Sequence, residues 1–229
     1  ERENGGSLLG SVESARWNMR TCREVLPREV WQATNDLFLF VVSGHPDGVN
    51  RSSRSRFLER VVNESQRIAG VLAGTMSRDE AHDLLSLGRS LERADMITRV
   101  LDVRAGSLAA VEAGPDRHAD AQWASVLRCL SAFQMFHRSR RAPVSGAAVI
   151  DFLLHDQSFP RALGHCLRSA RLSVERLPRS MLVAPAVEAA ETTLLAAASD
   201  LSPAALHVLM DNLQVAIGEI HDAVSDAYF

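Results

Sequence analysis

The chain has 229 residues, 46% hydrophobic and 23% charged, with a formal net charge of -3 and a pI near 6.3. Such a chain buries a proper core and is not disordered, and its slightly acidic balance argues against general nucleic-acid binding, which needs a strongly basic surface. All 25 basic residues are arginine, so Schiff-base chemistry, a pyridoxal phosphate anchor and a P-loop lysine are excluded together.

The three cysteines, Cys22, Cys129 and Cys166, are far apart and odd in number. They read as reduced thiols serving as small buried hydrophobes in a cytoplasmic protein. The opening ERENGGSLLG has no charged-then-apolar leader, and no apolar run of about 18 residues predicts a membrane span.

In chain order, the pattern predicts a first helix over 8–25 and, after Pro27, a second over 28–43. The turn formers SGHPDGVN follow. A third helix covers 53–73. Ser77 and Glu80 form a capping box that starts a long fourth helix, running to about 111 and closed by Gly114 and Pro115. Helices over 119–138, 147–155 and from Pro160 follow, then one over 186–198 after a turn bracketed by Pro178 and Pro185. Ser202-Pro203 caps the last. No segment alternates at period two long enough to be a strand. The expectation is an all-α, antiparallel multi-helix bundle of eight or nine helices. It forms a single domain over 1–229, with 114–118 as the place where it would subdivide.

The fourth helix organises the chain. Leu84, Leu87, Leu91, Ala94, Thr98, Leu101, Ala105 and Leu108 recur at steps of three and four, as a helical seam does. Beside them runs a polar line: Gly88, Glu92, Asp95, Arg99 and Asp102. A charge at the edge of a buried seam needs a partner, and Arg16, Arg20 and Arg23 of the first helix are the candidates.

Other chemistry is weakly marked. A di-iron bundle needs Glu-x-x-His pairs, and no glutamate here has a histidine three residues on. Asp79, Glu80, His82 and Asp83 look ligand-like, but acidic residues also favour a helix start. No nucleophile elbow occurs; His165 adjoins Cys166, yet adjacent helical residues diverge by about 100°. Two arginine clusters, Arg51, Arg54, Arg56, Arg60 and His137 to Arg141, read as solvated surface. No cofactor and no metal site is expected.

The residues of the fourth helix also carry a resemblance. Thr75-Met76, Arg78-Asp79-Glu80, Leu87-Gly88-Arg89, Leu91-Glu92-Arg93-Ala94-Asp95, Thr98-Arg99 and Leu101-Asp102 resemble the alpha-E family, a bacterial helical family named for a Glu-Arg motif. REVLPREVW at 23–31, Phe152-Leu153-Leu154 with Asp156, and Phe159-Pro160-Arg161 with Cys166-Leu167 extend the likeness. Two departures stand out. Family members usually begin with another Glu-Arg-bearing helix, which nothing here matches. Where they tend to read Arg-Glu-Asn-Ala-Arg, this chain has Arg16-Trp17-Asn18-Met19-Arg20. The resemblance implies a setting beside circularly permuted ATP-grasp proteins, which form amide bonds, in the synthesis or modification of a peptide or peptide-like compound.

Three functions remain open. The first is an accessory or scaffold protein partnering an ATP-grasp ligase, with Arg89, Glu92, Arg93, Asp95, Arg99 and Asp102 as an inter-helix network or binding surface. The second is an enzyme of a new helical type, with Glu92 and Asp95 in acid-base or metal-assisted work. The third is a peptide-binding module near Trp17 and Trp31. The sequence leaves oligomeric state open.

Overall fold

The computed structural model describes residues 7–44, 48, 50–109, 119–196 and 202–229, with only the backbone of 105–109 and 119. Among the described residues there are ten helices and no strand: α1 (Leu8–Thr21), α2 (Arg28–Ser43), α3 (Arg54–Thr75), α4 (Glu80–Ala109), α5 (Ala119–Cys129), α6 (Phe133–Arg140), α7 (Gly146–His155), α8 (Leu163–Val174), α9 (Ser180–Leu195) and α10 (Pro203–Tyr228). The protein is all-α, as its periodicity requires. The loop residues 45–47 and 49, the seam positions Ala105 and Leu108, the closing Gly114-Pro115, the 114–118 subdivision and the end of the helix predicted over 186–198 lie outside what is described.

Packing groups the chain into two compact units, Glu1–Ala81 and His82–Phe229. In the first, α2 packs on both α1 and α3. Val12, Leu37, Val41, Phe57 and Val61 form its core, with Leu8, Phe38, Phe40 and Ile68 packed against it. The Ser7 hydroxyl caps α1 by accepting from the Gly10 amide at 3.1 Å.

The second unit has the larger core. Leu87, Leu91, Ala94, Ile97 and Leu101 of α4 join buried side chains from every later helix, Trp123, Phe136, Phe152, Leu167, Val187 and Leu213 among them. The predicted seam is therefore the buried edge of α4, and Thr98 within it is fully buried, its hydroxyl donating to the Asp95 carbonyl at 2.7 Å.

Four local predictions are corrected. The helix expected over 119–138 is two, α5 and α6, broken where Ser131 adopts φ 54°. Serine carries no breaker signal; the break is held from elsewhere, by the Arg161 guanidinium donating to the Leu130 carbonyl at 2.7 Å. Pro185 lies inside α9 rather than bounding a turn. The carbonyl its missing N–H leaves free is that of Met181, an exposed residue on the first turn, where solvent can satisfy it. Helix α4 starts at Glu80, later than the box at Ser77 requires; the Arg78 guanidinium ahead of it donates to the Ala73 carbonyl at 2.8 Å. Finally, only Cys166 is buried; Cys22 and Cys129 are exposed, each at the end of a helix.

Candidate functional site

Adjacent residues on a helix point about 100° apart, so the charged edge of α4 splits into two faces. One carries carboxylates. Glu92 is exposed. Asp95 accepts from the Arg99 guanidinium one turn on, at 2.7 Å, and that hydrogen bond, with the attraction of Asp95 and Glu92, raises the Arg99 pKa. Asp102 binds Nδ1 of His207 on α10, whose Nε2 lies 3.6 Å from Asp211. The hydrogen bond to Asp102, then the charges of Asp211 and Asp102, raise the His207 pKa. His207 thus clamps α4 to α10 between two carboxylates. The ligand atoms of Asp102, His207 and Asp211 all lie within 4.8 Å of one another, but the imidazole already engages a carboxylate at each nitrogen.

The three arginines expected to meet this row have partners in their own unit. Arg16 donates to Asn35 at 2.9 Å and lies over Phe38 at 4.7 Å. Arg20 lies over Trp17, and Arg23 over Trp31. Because Glu92 is exposed, Glu92→Ala should change unfolding free energy by no more than about 0.5 kcal/mol in a urea titration.

The other face of α4 lines a cleft. His82, Asp83, Ser86, Arg89, Ser90 and Arg93 meet Ser169, Leu172, Ser173 and Arg176 from α8 and the turn after it, around about 310 Å³. Asp83 is 6% exposed and sits 3.5 Å from Arg176 and 3.6 Å from His82. Asp79 and Glu80, the other acidic residues of that stretch, are exposed. Ser90 donates to the Ser86 carbonyl at 2.8 Å, and the Ser86 hydroxyl lies 3.4 Å from His82 Nε2.

Arg89 and Arg93 differ from every other charge here. Among the described residues no carboxylate pairs with either. Burial, and then the neighbouring charge of Arg93, lower the Arg89 pKa. Two like charges one turn apart in a half-buried cleft oppose folding unless something anionic joins them. Arg93 also lies near Cys166, whose thiol is pushed up to about 11 by burial against the opposing pull of Arg93. That thiol stays protonated and donates to the Pro160 carbonyl at 3.6 Å, so Cys166 is a packing residue and no nucleophile.

A second cleft, about 470 Å³, is lined by Met135, Arg138, Ser139, Phe152, Asp156, Ser158, Phe159 and Pro160. It is larger but chemically occupied. Asp156 already accepts from the Ser158 and Phe159 amides at 2.9 and 2.8 Å and from the Ser139 hydroxyl at 2.8 Å. The smaller cleft, with two unpartnered cations, is the better candidate. The sequence points to Arg89 and Arg93 but not to Ser169, Ser173 or Arg176, which lie about 80 residues away and carry no local signal.

Of the tryptophans proposed to form a groove, Trp17 is 64% exposed and Trp31 half-buried beneath Arg16 and Arg23. Among the described residues, no helix is long and apolar enough to cross a membrane.

Residues 1–229 match the family model Alpha-E, "a predicted alpha-helical domain with a conserved ER motif". Glu-Arg pairs in the second unit fall at Glu92-Arg93 and Glu175-Arg176, and both arginines line the cleft. The chain is similar to proteins of Mycobacterium bovis and Mycobacterium tuberculosis, each named only as uncharacterized, at 24% identity over 186 residues. The match takes in 76% of this chain and 20% of each relative, so the chain spans about a fifth of the length of the curated relatives it matches. No solved structure matches it. With the family model covering its whole length, the chain belongs to the alpha-E family.

Proposed function

We propose that this chain is an accessory helical module of an ATP-grasp amide-ligase system, acting in the synthesis or modification of a peptide or peptide-like compound, and that it contributes binding rather than bond-making. The observation that carries the binding role is the division of α4: its cleft face presents Arg89 and Arg93 without counter-charges, while Asp95 and Asp102 are engaged in ion pairs and Glu92 faces outward. Paired guanidiniums in a half-desolvated cleft suit an anionic group on a ligand or partner. Membership of the alpha-E family supports the ATP-grasp setting.

The carboxylate-based reading is weaker. Acid-base or metal-assisted work by Glu92 and Asp95 needs both to face a pocket, and the cleft beside them is lined by arginines. The test of the partnership is direct. Purified chain and a circularly permuted ATP-grasp protein from the same genome are expected to co-elute in sizing and to be captured together in a pull-down. Separate elution and no capture, with both proteins folded, would remove the partnership while leaving the cleft untouched.

A further inference from the structure

We infer that the cleft between α4 and α8 is a phosphate-monoester site, in which Arg89 and Arg93 hold the phosphoryl oxygens from one wall while the hydroxyls of Ser169 and Ser173 donate from the other. This rests on the cleft being an anion site, and charge and donor geometry carry it further. Its lining holds three guanidiniums, those of Arg89, Arg93 and Arg176, against the single carboxylate of Asp83, which sits 3.5 Å from Arg176. Leaving His82 aside, two positive charges remain, both on α4. A carboxylate would neutralise one and leave the other facing it. A phosphate monoester carries about -1.5 to -2 at neutral pH and offers three terminal oxygens, enough to accept from both guanidiniums at once.

The opposite wall supplies neutral donors. Ser173 is 6% exposed, and Ser169 precedes it by one turn. Both line the cleft, and neither hydroxyl is spent on a protein partner among the described residues. A tetrahedral phosphoryl group offers three terminal oxygens to the two charged forks and two hydroxyls that line this cleft, whereas a single planar carboxylate offers two. The cleft volume of about 310 Å³ leaves room for organic substituents beyond the phosphoryl group.

The experiment is calorimetric titration of the intact chain with inorganic phosphate, phenyl phosphate, acetate and succinate at fixed ionic strength. Arg89→Gln, Arg93→Gln, Ser173→Ala and, as a control, Arg99→Gln are titrated alongside, each checked for native circular dichroism. Phosphate and phenyl phosphate are expected to bind at least tenfold more tightly than acetate or succinate. Arg89→Gln and Arg93→Gln should each weaken phosphate tenfold or more, Ser173→Ala about threefold or more, and Arg99→Gln less than twofold. If acetate or succinate binds as well as phosphate, and loses as much in the arginine variants, the cleft is an anion site but not a phosphate site. Binding of inorganic phosphate without phenyl phosphate overturns the monoester assignment. Phosphate binding unchanged in both arginine variants, or absent altogether, overturns the anion site itself.

Discussion

Phe152→Ala should cost about 3–5 kcal/mol of unfolding free energy, the range for removing a large buried aromatic side chain. Phe152 is fully buried on α7. Its ring stacks on Phe159 with centroids 5.1 Å apart and meets the edge of Phe136 at 5.6 Å, and the Arg140 guanidinium lies 5.8 Å from its centroid. Three consecutive buried side chains, Phe152, Leu153 and Leu154, anchor α7 in the larger core, so the surroundings have little freedom to close over the gap and a cavity remains. Trp123, the only tryptophan after residue 81 and 2% exposed, reports the unfolding of this unit by fluorescence. The urea midpoint should fall with an unchanged slope. Met96→Ala, at a position 54% exposed on α4, should stay within about 0.5 kcal/mol of the parent.

Asp156→Ala is the second large effect, about 1–2 kcal/mol, the order expected when an acceptor is removed and its amide donors are left unpaired. Its carboxylate organises the turn between α7 and α8, accepting two backbone amides and one hydroxyl. Burial pushes its pKa up, but the Ser158 amide, the Ser139 hydroxyl, the Phe159 amide and the charge of Arg140 more than offset that and hold it below the usual carboxylate value. The sign follows by linkage. A carboxylate with a depressed folded pKa contributes stability that is fully present above its unfolded value, about 3.9, and is lost as pH falls through the lower folded value. Parent protein should therefore lose stability below about pH 3.9 more steeply than Asp156→Asn, which keeps an acceptor oxygen and cannot titrate. Parallel acid unfolding curves for the two proteins would contradict the role given to Asp156.

Where local pattern decides structure, the sequence is a good guide. The three- and four-residue steps from Leu84 to Leu101 place the buried edge of α4, Pro27 precedes α2, and Ser202-Pro203 starts α10. It is a poor guide where distant contacts decide. The break at Ser131 depends on Arg161, thirty residues on. Asp102 is fixed by His207, 105 residues away. Pro185 looks like a boundary and is a helical residue, because only the structure places its missing hydrogen bond on an exposed turn.

The site was legible in half. Arg89 and Arg93 stand in the polar block of α4, but read along the chain they belong with Glu92 and Asp95 in one charged row. The 100° step between neighbouring residues separates them, sending Arg93 into the cleft and leaving Glu92 outside it. The row divides in two: Asp102 ties α4 to α10 through His207 and Asp95 pairs with Arg99 on its own helix, while Arg89 and Arg93 face the cleft of the proposed anion site. No one-dimensional spacing distinguishes the two parts, because what divides them is the opposite wall, supplied by α8.

The guanidinium Nε–Hε resonances test this division most directly. With each signal assigned by single substitution in ¹⁵N-labelled protein, inorganic phosphate should shift and sharpen those of Arg89 and Arg93 while leaving that of Arg99, tied to Asp95, in place. Uniform small shifts across the exposed arginines, or shifts confined to Arg51, Arg54, Arg56 and Arg60, would contradict it.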